Sequence, residues 1–506
     1  MPLPFGLKAS PPTGRKAIRS LWSAAGRSYD SAKTTRVNEK HWTAATLGDA
    51  DATILAQLGT LRNRVRFEMR NNGYAEGMVE TYATDVVGPD GPAVQIESDD
   101  EKWNEEAEAF LRDYFTYCDH SGIDHFADLL RLAVRQRWEC GESFAQRVTA
   151  PSGGAVRTRY LMIEPDRIAT PNDRVTAKNV RGGIKVTNNG RPVEYFVMKS
   201  HPGDTIRVPL FDEFDTVPAR DMIHVFRRFR PGQTRGVPRL APVLDEFAQL
   251  RDWDHDTLLA ARMAAMLAAF IHTDHPEAGF DDIGDELPIF DIEPGTLSTL
   301  PRGWNVSQVK PEHPSTQYRD FKREKLAGVG RVANMPYLKV AADASGHNYS
   351  SARLDDQGYW DEVKVEQAFQ TRRFVNPVII PALQEAALSG EIRPAPVRFR
   401  LAYIWNERPH VDPSKETRAQ TERLGNGTTT LARECKAAGG DWQETINQRM
   451  KEIHFILEAA IKLGIDPVVA LKAFGIEGPV PSLNPKNDDD KLDEKIDEKL
   501  EEKEKA

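Results

Sequence analysis

Apolar residues recur at helical spacing from residue 50 to 88, and the pattern closes at VVGPDG, where Gly88, Pro89 and Gly91 make a turn. WNEEAEAFLRDYFTYC (103–118) and FADLLRLAVRQRWECGE (126–142) carry the same period and predict two more helices. From 143 to 226 the texture changes to short runs, among them FAQRV, YLMI, GIKV, VEYFVMK and MIHVF, punctuated by Gly, Pro and Asn-Gly. That texture predicts antiparallel strands and an α+β region. Residues 243–271 contain neither Gly nor Pro, so a helix of up to about 44 Å is expected there at 1.5 Å per residue. Its second half carries Ala260, Ala264 and Ala268 in one row and Ala261, Ala265 and Ala269 in the next. Small residues at this spacing suit a buried core helix or a close approach between helices.

Residues 272–314 read as an irregular, Pro-rich and acidic excursion with short strand-like pieces, followed by a second helix from Ser315 to Asn334 that Pro336 stops. Helix, excursion and returning helix make a protruding hairpin. The breaker residues of DASGHN (343–348) then form a loop, and Ser350 and Ser351 are expected to cap a helical stretch over 351–388. Gly358, Pro377 and Pro381 should bend that stretch. A helical region from 413 to 475 follows, then a charged tail with Leu492, Ile496 and Leu500 at four-residue spacing.

Composition adds limits. At 506 residues, with 40% apolar and 28% charged residues, the chain should form more than one structural unit around a real core. The longest nearly apolar run, LLAARMAAMLAAFI (258–271), includes Arg262 and is too short to span a bilayer. The N-terminus MPLPFGLKASPPTGRK lacks a signal-peptide core, so no membrane partner is expected. Cys118, Cys140 and Cys435 form no CxxC pair, which argues against a disulfide frame or zinc site and for a reducing cytoplasm.

Charge is unevenly spread. Residues 1–45 hold eight Lys/Arg against two acids and read as a flexible basic arm, whereas 486–506 hold ten acids against six lysines. With a whole-chain charge of −9, the body between them carries −11. A body this acidic is no general nucleic-acid binder, but nucleic acid can pass beside it without sticking.

Candidate chemistry is sparse. There is no GxxxxGK[ST], HExxH, EF-hand loop or GxSxG, and GVGRVA (328–333) lacks both the third glycine of a dinucleotide fingerprint and a preceding strand. It reads as a helix with two small residues for close packing. His272 and His275 beside Asp274 lack a fourth ligand, so neither metal nor cofactor is expected. Asp343, His347 and Ser350 could be read as a nucleophile set, but proximity in sequence is weak evidence for a triad. A ligand-touching loop or a structural turn are the better readings. A cytoplasmic hydrolase or nuclease would need converging carboxylates, and none stands out.

Seven motifs in order change the picture. They are RNRVRFEMRNN (62–72), DVVG (85–88), WECGESF (138–144), VPARDMIHVFRRFRPGQTRGVPRLAPVL (217–244), EPGTLSTLPRGWNV (293–306), NYSSAR (348–353) and DPSKET (412–417), the last with a later GGD (439–441). Over about residues 25–475 the chain resembles the lambda-type bacteriophage portal proteins, the head–tail connectors of the capsid vertex. It departs from their pattern at Cys140, where an aspartate is usual, and in the acidic tail.

The resemblance implies an α+β portal fold. The wing would be 46–242, the stem helices 243–271 and 315–336, and the clip 272–314. A tunnel loop would span 337–350, a long kinked helix with a return to the wing 351–412, and a helical crown 413–480. Residues 481–506 would be a disordered tail. It implies a structural protein, not an enzyme, that forms a ring, typically a dodecamer, around a channel for double-stranded DNA. Expected partners are the terminase large subunit, the major capsid and scaffold proteins, and head-completion or tail connector proteins. Channel contacts would come from Lys322, Arg323, Lys325, Lys339, Ser345, His347, Asn348, Tyr349 and Arg353. Asp281, Asp282, Asp285, Glu286 and Phe290 would meet terminase or an adaptor, and Ala260, Ala264, Ala265 and Ala268 would pack between subunits. Another ring connector of the particle is the nearest alternative.

Overall fold

The computed structural model describes residues 35–474 except 37, 44, 46, 151–153, 176, 206–212, 266–268, 274–303, 309–316, 347, 406, 408–412 and 438–441. The helical run expected over 50–88 is three helices, α1 (Ala50–Leu55), α2 (Leu58–Asn71) and α3 (Gly73–Val87). The break before α3 lies in the RNN motif: Asn72 adopts an extended backbone, and its side chain accepts from Tyr74 N at 3.0 Å, restarting the helix. Strand β1 (Ala93–Glu97) leads to α4 (Glu101–Tyr114) and α5 (Phe126–Cys140), the two helices read from their apolar period.

The short runs after Cys140 are antiparallel strands, as their alternation predicts. They are β2 (Glu142–Thr149), β3 (Thr158–Ile163), β4 (Val180–Arg181), β5 (Ile184–Val186), β6 (Pro192–Met198), β7 (Phe214–Pro218) and β8 (Met222–Phe226). Sheet order is β3-β2-β8 in one sheet and β4-β5-β6-β7 in the other. A small core of Phe144, Ile163, Ile168, Ile184, Tyr195, Val197 and Val217 lies between them.

Helix α6 (Leu244–Ala265) ends short of the expected 271: residues Ala269–Thr273 are strand β9, antiparallel to β10 (Trp304–Gln308). Absence of Gly and Pro permits a helix but does not require one. AFIHT is rich in strand formers, and ladder bonds to WNVSQ satisfy its backbone instead. At 22 residues α6 is about 33 Å long. Helix α7 (Gln317–Gly330) returns beside it, and a 3₁₀ turn at Arg331–Ala333 ends at Asn334 with φ +52°. GVGRVA is therefore helix end, as read, and a Cβ at Gly330 would overlap the Met335 carbonyl.

After the short α8 (Tyr337–Val340) and the loop, α9 spans Tyr349–Gln370. Its cap is Asn348, not Ser350 or Ser351: the Asn348 side chain accepts from Ser351 N at 2.9 Å while Ser351 Oγ takes Asn348 N at 3.2 Å. Gly358 causes no break. A π-turn at Thr371–Val375 interrupts the regular ladder before α10 (Asn376–Ser389). Pro381 has no N–H to give the Pro377 carbonyl, and Tyr160 Oη donates to it at 3.1 Å. Strand β11 (Arg400–Ile404) pairs with β1, and four helices close the described chain: α11 (Pro413–Gly425), α12 (Leu431–Ala437), α13 (Trp442–Leu463) and α14 (Pro467–Ala473). The main core joins α2–α5 to α9 and α10 through Tyr82, Trp103, Trp138, Tyr359 and Phe374.

Candidate nucleic-acid interface and the ionic frame behind it

Three of the sequence motifs meet at one carboxylate. Glu142, at the start of β2, is fully buried. Its Oε1 takes Arg62 of RNRVRFEMRNN and, at 2.7 Å, Arg235 of RPGQTRGVP, while its Oε2 accepts Gly236 N at 2.9 Å and lies 2.9 Å from His224 Nε2. Further guanidinium hydrogens of both arginines are also used. Arg62 donates to the Cys140 carbonyl and Asp166, both at 3.1 Å, and Arg235 to the Ile168, Pro165 and Gly182 carbonyls. Burial alone would raise Glu142, but Arg235 and Arg62 overcome it and hold the carboxyl well below the usual range.

The glycines on either side admit no side chain. Gly141 ends α5 at φ +88°, and a Cβ on it would overlap the Val237 backbone; one on Gly236 would overlap the Gly141 carbonyl. Cys140 takes an Arg66 N–H on its sulfur at 3.2 Å, and burial pushes its thiol up to about 12. Arg66 finds its negative partners in Glu139, Glu164 and Asp166 instead.

Burial pulls His224 below its ordinary value, against the opposing pull of Glu142, so the folded chain keeps it neutral. As pH falls through about 6.5 the unfolded chain takes a proton that the folded chain does not. Stability should therefore fall with pH below that point, by at most about 1.4 kcal/mol per pH unit from this group. Thermal unfolding between pH 7.5 and 5 should show the slope, and His224→Gln should flatten it. An equal slope in the variant would remove His224 as the cause.

A second set of ties holds α9. Arg137 of α5 pairs with Glu366 in full burial, and Gln370 donates to the same oxygen at 2.7 Å. Arg239 and Arg227 reach Glu362 at 2.8 and 3.0 Å, and Arg239 lies over the Trp138 ring at 5.0 Å.

The loop before α9 has its own ties. Asp343 Oδ1 accepts Ser345 N at 2.8 Å and its Oδ2 the Tyr337 hydroxyl at 3.2 Å, while Arg319 Nη2 donates to Ser345 Oγ at 2.6 Å. Arg323 lies over the Tyr337 ring and approaches Gly346, which has φ +89°. Arg319 was absent from the sequence-derived set. Its signal is the four-residue spacing to Arg323, which puts both on the loop side of α7.

The other basic candidates point elsewhere. Lys322 bonds Asp254 of α6 at 2.9 Å, and Asp254 with Tyr318 raises its ammonium despite burial. Lys339 bonds Asp85 at 2.7 Å beneath the Tyr359 ring. Within one chain, acids far away in sequence pair with both charges. Lys325 donates to Gln249 at 3.0 Å, and Arg353 is exposed near the start of α9. Tyr349 opens α9.

His347, Ala268 and the expected clip contacts Asp281, Asp282, Asp285, Glu286 and Phe290 lie outside the described residues, as do His275 and Asp274. Ala264 and Ala265 close α6 beyond a half-buried Ala260. Among the described residues one group has metal-ligand spacing, Glu164, Asp166 and His201. Arg66 pairs with both of its carboxylates and Arg62 with Asp166, so a cation would compete with guanidinium groups already in place. No described helix is long and apolar enough to cross a membrane.

Comparison with known proteins decides the family. The model described as phage portal protein, lambda family, matches residues 36–367, well over half the chain. The chain belongs to that family. Among curated relatives, it is 25% identical over 493 residues to a probable portal protein of Halomonas phage phiHAP-1, covering 92% of each chain. Portal protein B of Escherichia phage lambda is 23% identical over 455 residues, covering 79% of this chain and 85% of the relative. Among solved structures, a chain from the virion of a native gene transfer agent particle aligns with TM-score 0.46 and 13% identity, over 80% of this chain and 99% of that one. The family is one of structural virion proteins, and Arg62, Gly141, Glu142, Arg235 and Gly236 of the buried node all lie within the matched span.

Proposed function

We propose that the chain is the repeating subunit of a portal ring, the vertex channel through which terminase packages double-stranded DNA and from which it later leaves. The family match over 36–367 carries this reading, with relatives named portal proteins that span nearly the same length. In it, the α6–α7 hairpin is the stem, with its β9–β10 ladder opening the clip four residues after α6 ends. The loop at 341–348, with Arg319 and Arg323 at its base, faces the duplex. Arg353 and Lys325 stay as further candidates, while Lys322 and Lys339 serve the frame. An acidic wall with few basic groups suits a duplex that must slide, because strong phosphate binding would stall it. The eight acids of 274–293, around Leu287, Pro288, Ile289 and Phe290, suit a basic docking face on the motor.

The wing and α11–α14 would meet capsid, scaffold and head-completion proteins. Alanine rows in α6 would face ring neighbours. No cofactor takes part. Native mass spectrometry of the full chain tests the assembly: a closed ring of 56.8 kDa subunits, twelve in the simplest case, is expected. A monomer or dimer at all concentrations would refute it.

A further inference from the structure

Away from the loop, a cavity of about 440 Å³ opens between the β2/β8 sheet, the start of β6 and the π-turn. Five arginines line it, Arg147, Arg191, Arg220, Arg372 and Arg373, against one acid, Asp221. Asp221 is already taken by Arg147 and Arg220. Arg191, Arg372 and Arg373 are exposed at its rim and make no side-chain ion pair among the described residues. Arg372 and Arg373 are adjacent residues of the π-turn, whose wider coil brings them to the same opening. On a chain of net charge −9, a local excess of four positive charges with one shared counter-ion is a site for carboxylates or phosphates.

A pocket of this size admits the acidic side chains of a peptide, whereas a duplex could meet only the arginines at its rim. The chain itself contains a matching segment. Residues 486–506 carry ten acids and six lysines, a net of −4. Their order is regular: Asp489, Asp493, Asp497 and Glu501 form one four-residue row and Asp490, Glu494, Glu498 and Glu502 the next, with the lysines at 491, 495, 499 and 503 in a third. Rows of that kind separate an acidic face from a basic one on any helical segment. The 32 residues after Phe474 can span about 100 Å when extended, which exceeds the width of a domain this size.

We propose that the arginine cavity is a docking site for the chain's own acidic C-terminal segment, residues 486–506. The competing acidic stretch, 274–293, is tied at both ends by β9 and β10 and has less reach.

The test uses the full chain with the nine acids of 488–502 replaced by Asn or Gln, and a fluorescent peptide of residues 484–506 followed by anisotropy. The peptide should bind this variant, more weakly as salt rises, and at least tenfold more weakly once Arg372→Glu and Arg373→Glu are added. Asp221→Asn should tighten it. The unaltered chain should bind added peptide less well than the tail-neutralised one, because its own segment fills the site. Absence of binding, or binding indifferent to the arginine reversals, would overturn the proposal. So would a 274–293 peptide or a 20-base-pair duplex that takes the same arginines and excludes the tail peptide.

Discussion

Glu142→Ala should cost about 3–5 kcal/mol of stability, the range expected when one member of a buried ion set is removed. The cost arises less from the lost attraction than from what stays behind. Arg235 would remain inside without a charged partner, Arg62 would keep only Asp166, and Gly236 N would lose its acceptor. Glu142→Gln keeps the shape but not the charge and should recover only part of the loss. The exposed pair Arg418–Glu422 on α11 gives the contrast: Glu422→Ala should cost no more than about 0.5 kcal/mol. Urea unfolding of the three variants measures all of this. A Glu142→Ala chain within 1 kcal/mol of the parent would mean that the node is ornamental to the fold.

Deleting residues 344–347 should leave folding and assembly unchanged yet reduce DNA-filled heads at least tenfold. The described part of this segment is exposed, and its anchors are few: Arg319 to Ser345 and Asp343 to Ser345. Keeping Asn348 is essential, because its capping box starts α9, and losing a cap costs about 1 kcal/mol. A packaging reaction with purified heads, motor and DNA gives the readout, and ring mass is the control. Filling at the parent level would remove the loop from the DNA path. Empty heads with an intact ring are the expected result.

Much of the architecture was legible from local pattern. The strand runs of 143–226 and the α4, α5 and α7 periods carry their own structure, since alternation and helical spacing are local properties. Helix α6 was overextended because its end is set by a partner strand, Trp304–Gln308, that no local signal in 269–273 reveals. The cap at Asn348 was missed in favour of serines two and three residues on, although both residue types suit the position.

Charges were the least legible. Lys322 and Lys339 look like free cations in sequence, yet their acids lie at Asp254 and Asp85, far along the chain. The same blindness hid the node: Arg62, Glu142 and Arg235 were visible as motif letters, but not as partners of one another. Arg319 could have been found by its four-residue spacing to Arg323, already a candidate, because both face the loop from one helix.

The most direct measurement is a cryo-electron microscopy map of the assembled full chain, with the position of residues 341–348 as the quantity read. The account predicts a closed ring with these loops, backed by Arg319 and Arg323, around a central opening that admits a duplex. A map that puts 341–348 on the outer surface, or shows no closed ring, would contradict it.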